Sequence, residues 1–129
     1  MPLKYAAYFI VDIKGRTPLL RYSSGHNKGL YTGPGGHIDK EDKNSHMAAL
    51  RELYEETGID FNKLEFLGGA SWTRKGETKI YIARVTKIPK INLSSEHDDV
   101  KIVNIKNLNN YPLTYAYKDS LEKNINLLK

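Results

Sequence analysis

Residues 44–58, NSHMAALRELYEETG, leave little conformational choice. Asn44 and Ser45 offer caps, no β-branched residue interrupts the body before Thr57, and Gly58 suits a left-handed C-terminal stop. The stretch predicts a helix, and that helix is awkward. Positions three and four apart share a face, so Glu52, Glu55 and Glu56 form one acidic patch. The patch lies toward the C-terminal end, where the helix dipole disfavours negative charge, and each like-charged pair costs roughly a few tenths of a kcal/mol. Arg51, four residues before Glu55, offsets only part of this. A solvated acidic face is one reading. The other is a site whose hard oxygen ligands hold Mg²⁺, Mn²⁺ or Ca²⁺.

The preceding segment favours the second reading. Gly25, Gly29, Gly33, Gly35 and Gly36 crowd together with Pro34, a density that signals tight turns or close backbone approach to a ligand. A glycine loop followed by an acidic helix makes a site for a phosphate bridged by metal. Around this pair the pattern is mostly strand. KYAAYFIVDI (4–13) reads as a buried strand, and LLRYSS, beyond the turn KGRTP, as its hairpin partner. KLEFLGGASW and ETKIYIARV flank TRKG as a second hairpin, DVKIVNI (99–105) alternates as a further strand, and DSLEKNINLLK closes as a helix. Asp119 or Ser120 would cap that helix, with Leu121, Ile125 and Leu128 along one face. Strands, helix, strands, helix predict an α+β fold with helices packed over a mixed sheet.

At 129 residues, 40% hydrophobic and 27% charged, the chain is sized and composed for one globular domain, 1–129. The absence of cysteine excludes disulfides and thiolate chemistry, so a metal site must use oxygen or imidazole. No run is long enough to span a bilayer and MPLKYAAYFIVDI lacks a signal layout, so a cytoplasmic location without membrane contact is expected. Twenty basic against fifteen acidic residues give +5, a field that favours anionic ligands. The lysines are scattered, so RNA binding is allowed by charge but not signalled.

The segment GGHIDKEDKNSHMAALRELYEETGI, 35–59, resembles the signature of the Nudix hydrolases: glycine, five residues, glutamate, seven residues, then R-E-U-x-E-E-x-G-U, with U aliphatic. Arg51, Glu52, Leu53, Glu55, Glu56, Gly58 and Ile59 match the second half fully. The middle departs. Counted forward from Gly36 the glutamate position holds Asp42, and counted back from Arg51 it holds Lys43, so the loop carries one extra residue. Glu41 or Asp42 would supply the displaced carboxylate.

The resemblance implies an α-β-α sandwich around a mixed sheet and hydrolysis of a nucleoside diphosphate linked to another group. It implies that Glu52, Glu55 and Glu56, with the Gly36 carbonyl, bind Mg²⁺ (Mn²⁺ as substitute), and that Arg51 pins the loop to the helix. It also implies a further carboxylate in SSEHDDVKIVNI, with Glu96 chosen ahead of Asp98 and Asp99, and a general base in Glu52 or Glu96. A nucleoside triphosphate is the favoured substrate; capped or 5′-phosphorylated RNA, a nucleotide sugar or a dinucleoside polyphosphate are rivals, and a silent nucleotide-binding domain is the non-enzymatic alternative. No extended motif for NADH or coenzyme A stands out. Lys75 occupies the place, sixteen residues after Ile59, where diadenosine polyphosphate hydrolases often carry tyrosine. Trp72 is a candidate to stack on a base, and Arg74 and Lys75 to meet phosphates. His37, His46 and His97 read as hydrogen-bonding or surface residues; Tyr5, Tyr8 and Tyr81 read as core, and the tyrosines of 111–117 as packing for the last helix.

Overall fold

The computed structural model describes residues 3–72 and 77–124. Its elements run β1 (Tyr5–Val11), β2 (Arg16–Tyr22), β3 (Tyr31–Thr32), β4 (Gly35–His37), α1 (Ser45–Thr57), β5 (Glu65–Trp72), β6 (Thr78–Arg84), β7 (His97–Asn104) and α2 (Tyr115–Asn124). Four strands form a sheet in the order β4-β1-β6-β5, mixed because β1 runs parallel to β6 and antiparallel to β4. A second, antiparallel sheet has the order β3-β2-β7. The architecture is α+β.

β1 is apolar throughout because both its faces are buried, and successive side chains alternate between them. Ala6, Tyr8 and Ile10 meet Ala48, Ala49 and Leu53 of α1, joined by Tyr81 and Ala83 of β6. Phe9 and Val11 point the other way, onto Leu19, Ile80, Ile82, Val103 and Tyr117. The mixed sheet is thus covered by α1 on one side and by the second sheet and α2 on the other. Among the described residues no helix is long and apolar enough to cross a membrane.

Two expectations fail here. β2 is not the hairpin partner of β1: β4 and β6 occupy both edges of β1, and β2 pairs with β3 and β7 instead. The last helix begins at Tyr115, so Asp119 and Ser120 lie inside it and not at its start; Ile125 and Leu128 fall outside the described residues. Aromatic burial decides that start. Tyr117 stacks on Phe9 at 4.7 Å and 8°, and its hydroxyl lies 3.1 Å from Thr17 Oγ1. Packing was expected of the tyrosines in 111–117, and Tyr117, 1% exposed, supplies it.

Asp12 redirects the chain from one sheet to the other. Its side chain, 1% exposed, accepts from the Lys14 and Arg16 backbone N–H groups and from Arg16 Nε, all at 2.9 Å. Burial pulls its pKa upward, but the Arg16 and Lys14 hydrogen bonds outweigh it and hold the carboxyl below its ordinary value. Asp12→Ala should cost about 2–3 kcal/mol in urea unfolding at pH 7. Because the folded pKa is depressed, this contribution is present above the unfolded value of about 3.9 and fades as pH falls through the folded one. The wild-type and variant stabilities should therefore converge in acid.

Candidate active site

α1 is capped as its sequence predicts. Asn44 accepts from the Met47 N–H at 2.9 Å, and Gly58, at φ 76°, donates to the Tyr54 carbonyl. The helix then packs its acidic turn against β4, where Gly36 makes this contact possible and Gly35 lets β4 close onto β1. A Cβ at Gly35 would sit 2.4 Å from Ala7 Cβ and 2.8 Å from the Ala6 carbonyl; a Cβ at Gly36 would sit 2.6 Å from the Glu52 carboxylate. Glycine is needed here for closeness of approach.

Arg51 organises the charge. Its Nε and Nη2 donate to the two oxygens of Asp42, both at 3.0 Å, in the bidentate geometry that guanidinium favours. Nη2 also reaches the His37 carbonyl at 3.1 Å, while Nη1 donates to Glu52 at 3.0 Å and Glu55 at 3.1 Å. Asp42, not the exposed Glu41, therefore supplies the displaced carboxylate. It also accepts from the Asp39 N–H at 2.8 Å, closing the loop into a turn. The Arg51 and Asp39 hydrogen bonds hold Asp42 below the usual carboxylate range, and Asp42 in turn keeps Arg51 charged.

The three glutamates of α1 part company. Glu55 is exposed and bound to Arg51. Glu52 lies against Gly36, its pKa raised first by burial. Glu56 is the deepest: Oε2 accepts from the Gly35 N–H at 3.1 Å, and Oε1 is buried with no partner. Burial, then the charges of Glu52, Glu96 and Glu55, push it up to about 8 against the Gly35 hydrogen bond. One oxygen each of Glu56 and Glu96 and a ring nitrogen of His97 lie within 4.8 Å of one another. Of the three carboxylates weighed at 96–99, Glu96 is thus the one at the site. Asp98 pairs with Arg21 at 2.7 Å, and Asp99 accepts from the Tyr31 hydroxyl at 2.5 Å.

Beside this cluster opens a cleft of about 630 Å³ whose wall includes Gly35 and Gly36. Tyr5, Tyr22, His37 and Tyr115 give it aromatic surface. Tyr22 ties cleft to cluster: its hydroxyl is pushed up to about 12, by burial first and then by Glu56, Glu96 and Glu52. The expectation that Tyr5 belongs to the core fails for this reason, since its register opposite His37 puts it on the cleft. Tyr8 and Tyr81 are core. His46 hydrogen-bonds the Tyr8 hydroxyl and stacks on Tyr81 at 4.5 Å. Trp72 ends β5 opposite Lys79, while Arg74 and Lys75 lie outside the described residues.

A family model of the NUDIX domain matches residues 2–123. The chain belongs to the NUDIX domain family. Similar solved structures agree with that fold. The MutT NUDIX hydrolase from Burkholderia pseudomallei is 25% identical with a TM-score of 0.72, covering 95% of this chain and 97% of that one. The NUDIX domain of Shewanella oneidensis NrtR, in complex with ADP ribose, is 24% identical with a TM-score of 0.73, covering 100% and 90%. A C. elegans Ap4A hydrolase is 22% identical with a TM-score of 0.66, covering 97% and 92%. No curated protein matches. The NUDIX chain is accordingly an enzyme of the nucleotide pyrophosphatase class. Its donor set fits the divalent metal such hydrolases generally use, because Glu56 Oε1 is a buried carboxyl oxygen without a protein partner, beside Glu96 and His97.

Gly36→Ala should leave the fold intact, since only the flexible end of Glu52 must move, yet abolish most turnover; circular dichroism and a hydrolysis assay separate the two. Asp42→Ala and Arg51→Lys should each speed amide exchange at Asp39 by about tenfold or more, read by hydrogen-exchange NMR.

Proposed function

We propose that the chain is a divalent-metal-dependent pyrophosphohydrolase whose substrate is a nucleoside triphosphate. The observation that carries this reading is the juxtaposition of the Glu52–Glu56–Glu96 cluster with the aromatic cleft, across the glycine wall of β4. A cleft of about 630 Å³ suits a single nucleoside, with room for its base against Tyr5, Tyr22 or Tyr115. That favours one nucleoside with a phosphate chain over a dinucleoside substrate. The backbone at Gly35 and Gly36, without side chains, lets the phosphates approach the carboxylates.

Glu56 and Glu96 would hold the divalent cation, with Glu52 and the Gly36 carbonyl beside it. When bound, the ion neutralises the diphosphate and makes water a better nucleophile. Burial has raised the proton affinity of Glu52, so in this reading it accepts the proton of the attacking water. Arg51 holds one Glu52 oxygen and fixes the carboxylate's direction.

The test is release of pyrophosphate or phosphate from nucleoside triphosphates, oxidised triphosphates, ADP ribose, nucleotide sugars, dinucleoside polyphosphates and capped RNA, with and without Mg²⁺. Metal-dependent turnover should be confined to the triphosphates. Glu52→Gln should lower kcat by about 10²- to 10⁴-fold and weaken metal binding less than Glu56→Gln does. Turnover of a different substrate class would overturn the substrate assignment. Nucleotide binding without turnover would make this a silent domain.

A further inference from the structure

Two buried polar atoms at the site lack hydrogen-bond partners, Glu56 Oε1 and His97 Nδ1. Buried polar groups are rarely left unpaired, and two orphans in one cluster call for a common cause. His97 is 5% exposed, and its place is built by the second sheet. β7 begins at His97, opposite Tyr22, where the pairing register slips between Arg21 and Tyr22. Such irregularities re-aim side chains beside functional sites. The Tyr22 ring, 5.0 Å from the imidazole at 36°, closes one side of it. A ring nitrogen is thereby brought within 4.8 Å of the Glu56 and Glu96 oxygens.

We propose that His97 is a nitrogen ligand to the cation held by Glu56 and Glu96, which makes this centre a mixed oxygen–nitrogen site that takes Mn²⁺ in preference to Mg²⁺. The inference rests on the metal-dependent reading above and extends it to the choice of ion. Its physical basis is ligand type. Mg²⁺ is a hard ion that keeps water and oxygen donors, whereas imidazole is a donor suited to transition metals. Coordination through Nδ1 would also satisfy that unpaired atom, a reason for a histidine to be buried among acids. The direct alternative is that the histidine only donates a hydrogen bond to Glu56 and orients it, in which case no nitrogen reaches the metal.

The experiment uses the full chain loaded with Mn²⁺ and reads nitrogen coupling to the metal by electron spin-echo spectroscopy. Wild type should show ¹⁴N modulation that converts to the ¹⁵N pattern when only histidine is labelled. His97→Asn, with folding checked by circular dichroism, should lose it. In that variant the Mn²⁺ dissociation constant should rise by about tenfold or more, and that for Mg²⁺ by less than about threefold. The chain has four histidines, so a coupling in labelled wild type is assigned to His97 by the variant, and His97→Gln takes its place if His97→Asn fails to fold. Mn²⁺ bound with no histidine coupling would overturn the inference and leave the carboxylate site standing, as would a signal that survives in His97→Asn. Failure to bind any divalent metal would overturn both readings.

Discussion

The approach of α1 to β4 is the contact on which the site depends. A helix turn carrying several carboxylates can sit against a strand only if the strand has no side chains in the way and offers something to the charge. Gly36 meets the first condition, and the Gly35 N–H meets the second by donating to Glu56. Arg51 supplies the counter-charge from the same helix, binding Asp42, Glu52, Glu55 and the His37 carbonyl together. Loop, strand and helix are thus joined through one guanidinium.

That arrangement leaves one carboxyl group buried beyond the counter-charge. Arg51 neutralises the outer part of the cluster, yet Glu56 lies beyond it, with one oxygen unpaired and its proton affinity raised by burial and by neighbouring carboxylates. Such a group is expensive in an isolated protein and inexpensive beside a cation. The conflict visible along the helix is therefore concentrated at one residue, which the fold places beside Glu96 and His97.

Much of this was legible in the chain. The α1 boundaries followed from Asn44 and Gly58, because caps are local chemistry. β1 followed from its apolar run, and the β5–β6 hairpin from the turn between its two strands. The partner of β2 did not follow, since hydrophobic pattern says that a strand is buried but not which edge it joins. The start of α2 was missed because Tyr117 packing on Phe9 outweighed the local capping residues. Asp42 and Glu41 were equal candidates by position, and only the bidentate contact with Arg51 separates them.

By itself the sequence determined the helix, its three glutamates and the glycines before it, because spacing of three and four residues and the lack of a Cβ are properties of neighbours in the chain. The tertiary structure decided how those glutamates are disposed. It turned Glu55 outward to Arg51 and Glu56 inward, and it brought Glu96 and His97 to Glu56 from 40 and 41 residues away along the chain. It also made a cleft from Tyr5, Tyr22 and Tyr115, which no local pattern connects. The reason is that pairing of strands from two sheets converts long separations in sequence into contacts of a few ångströms, and nothing in the local pattern records which strands will meet.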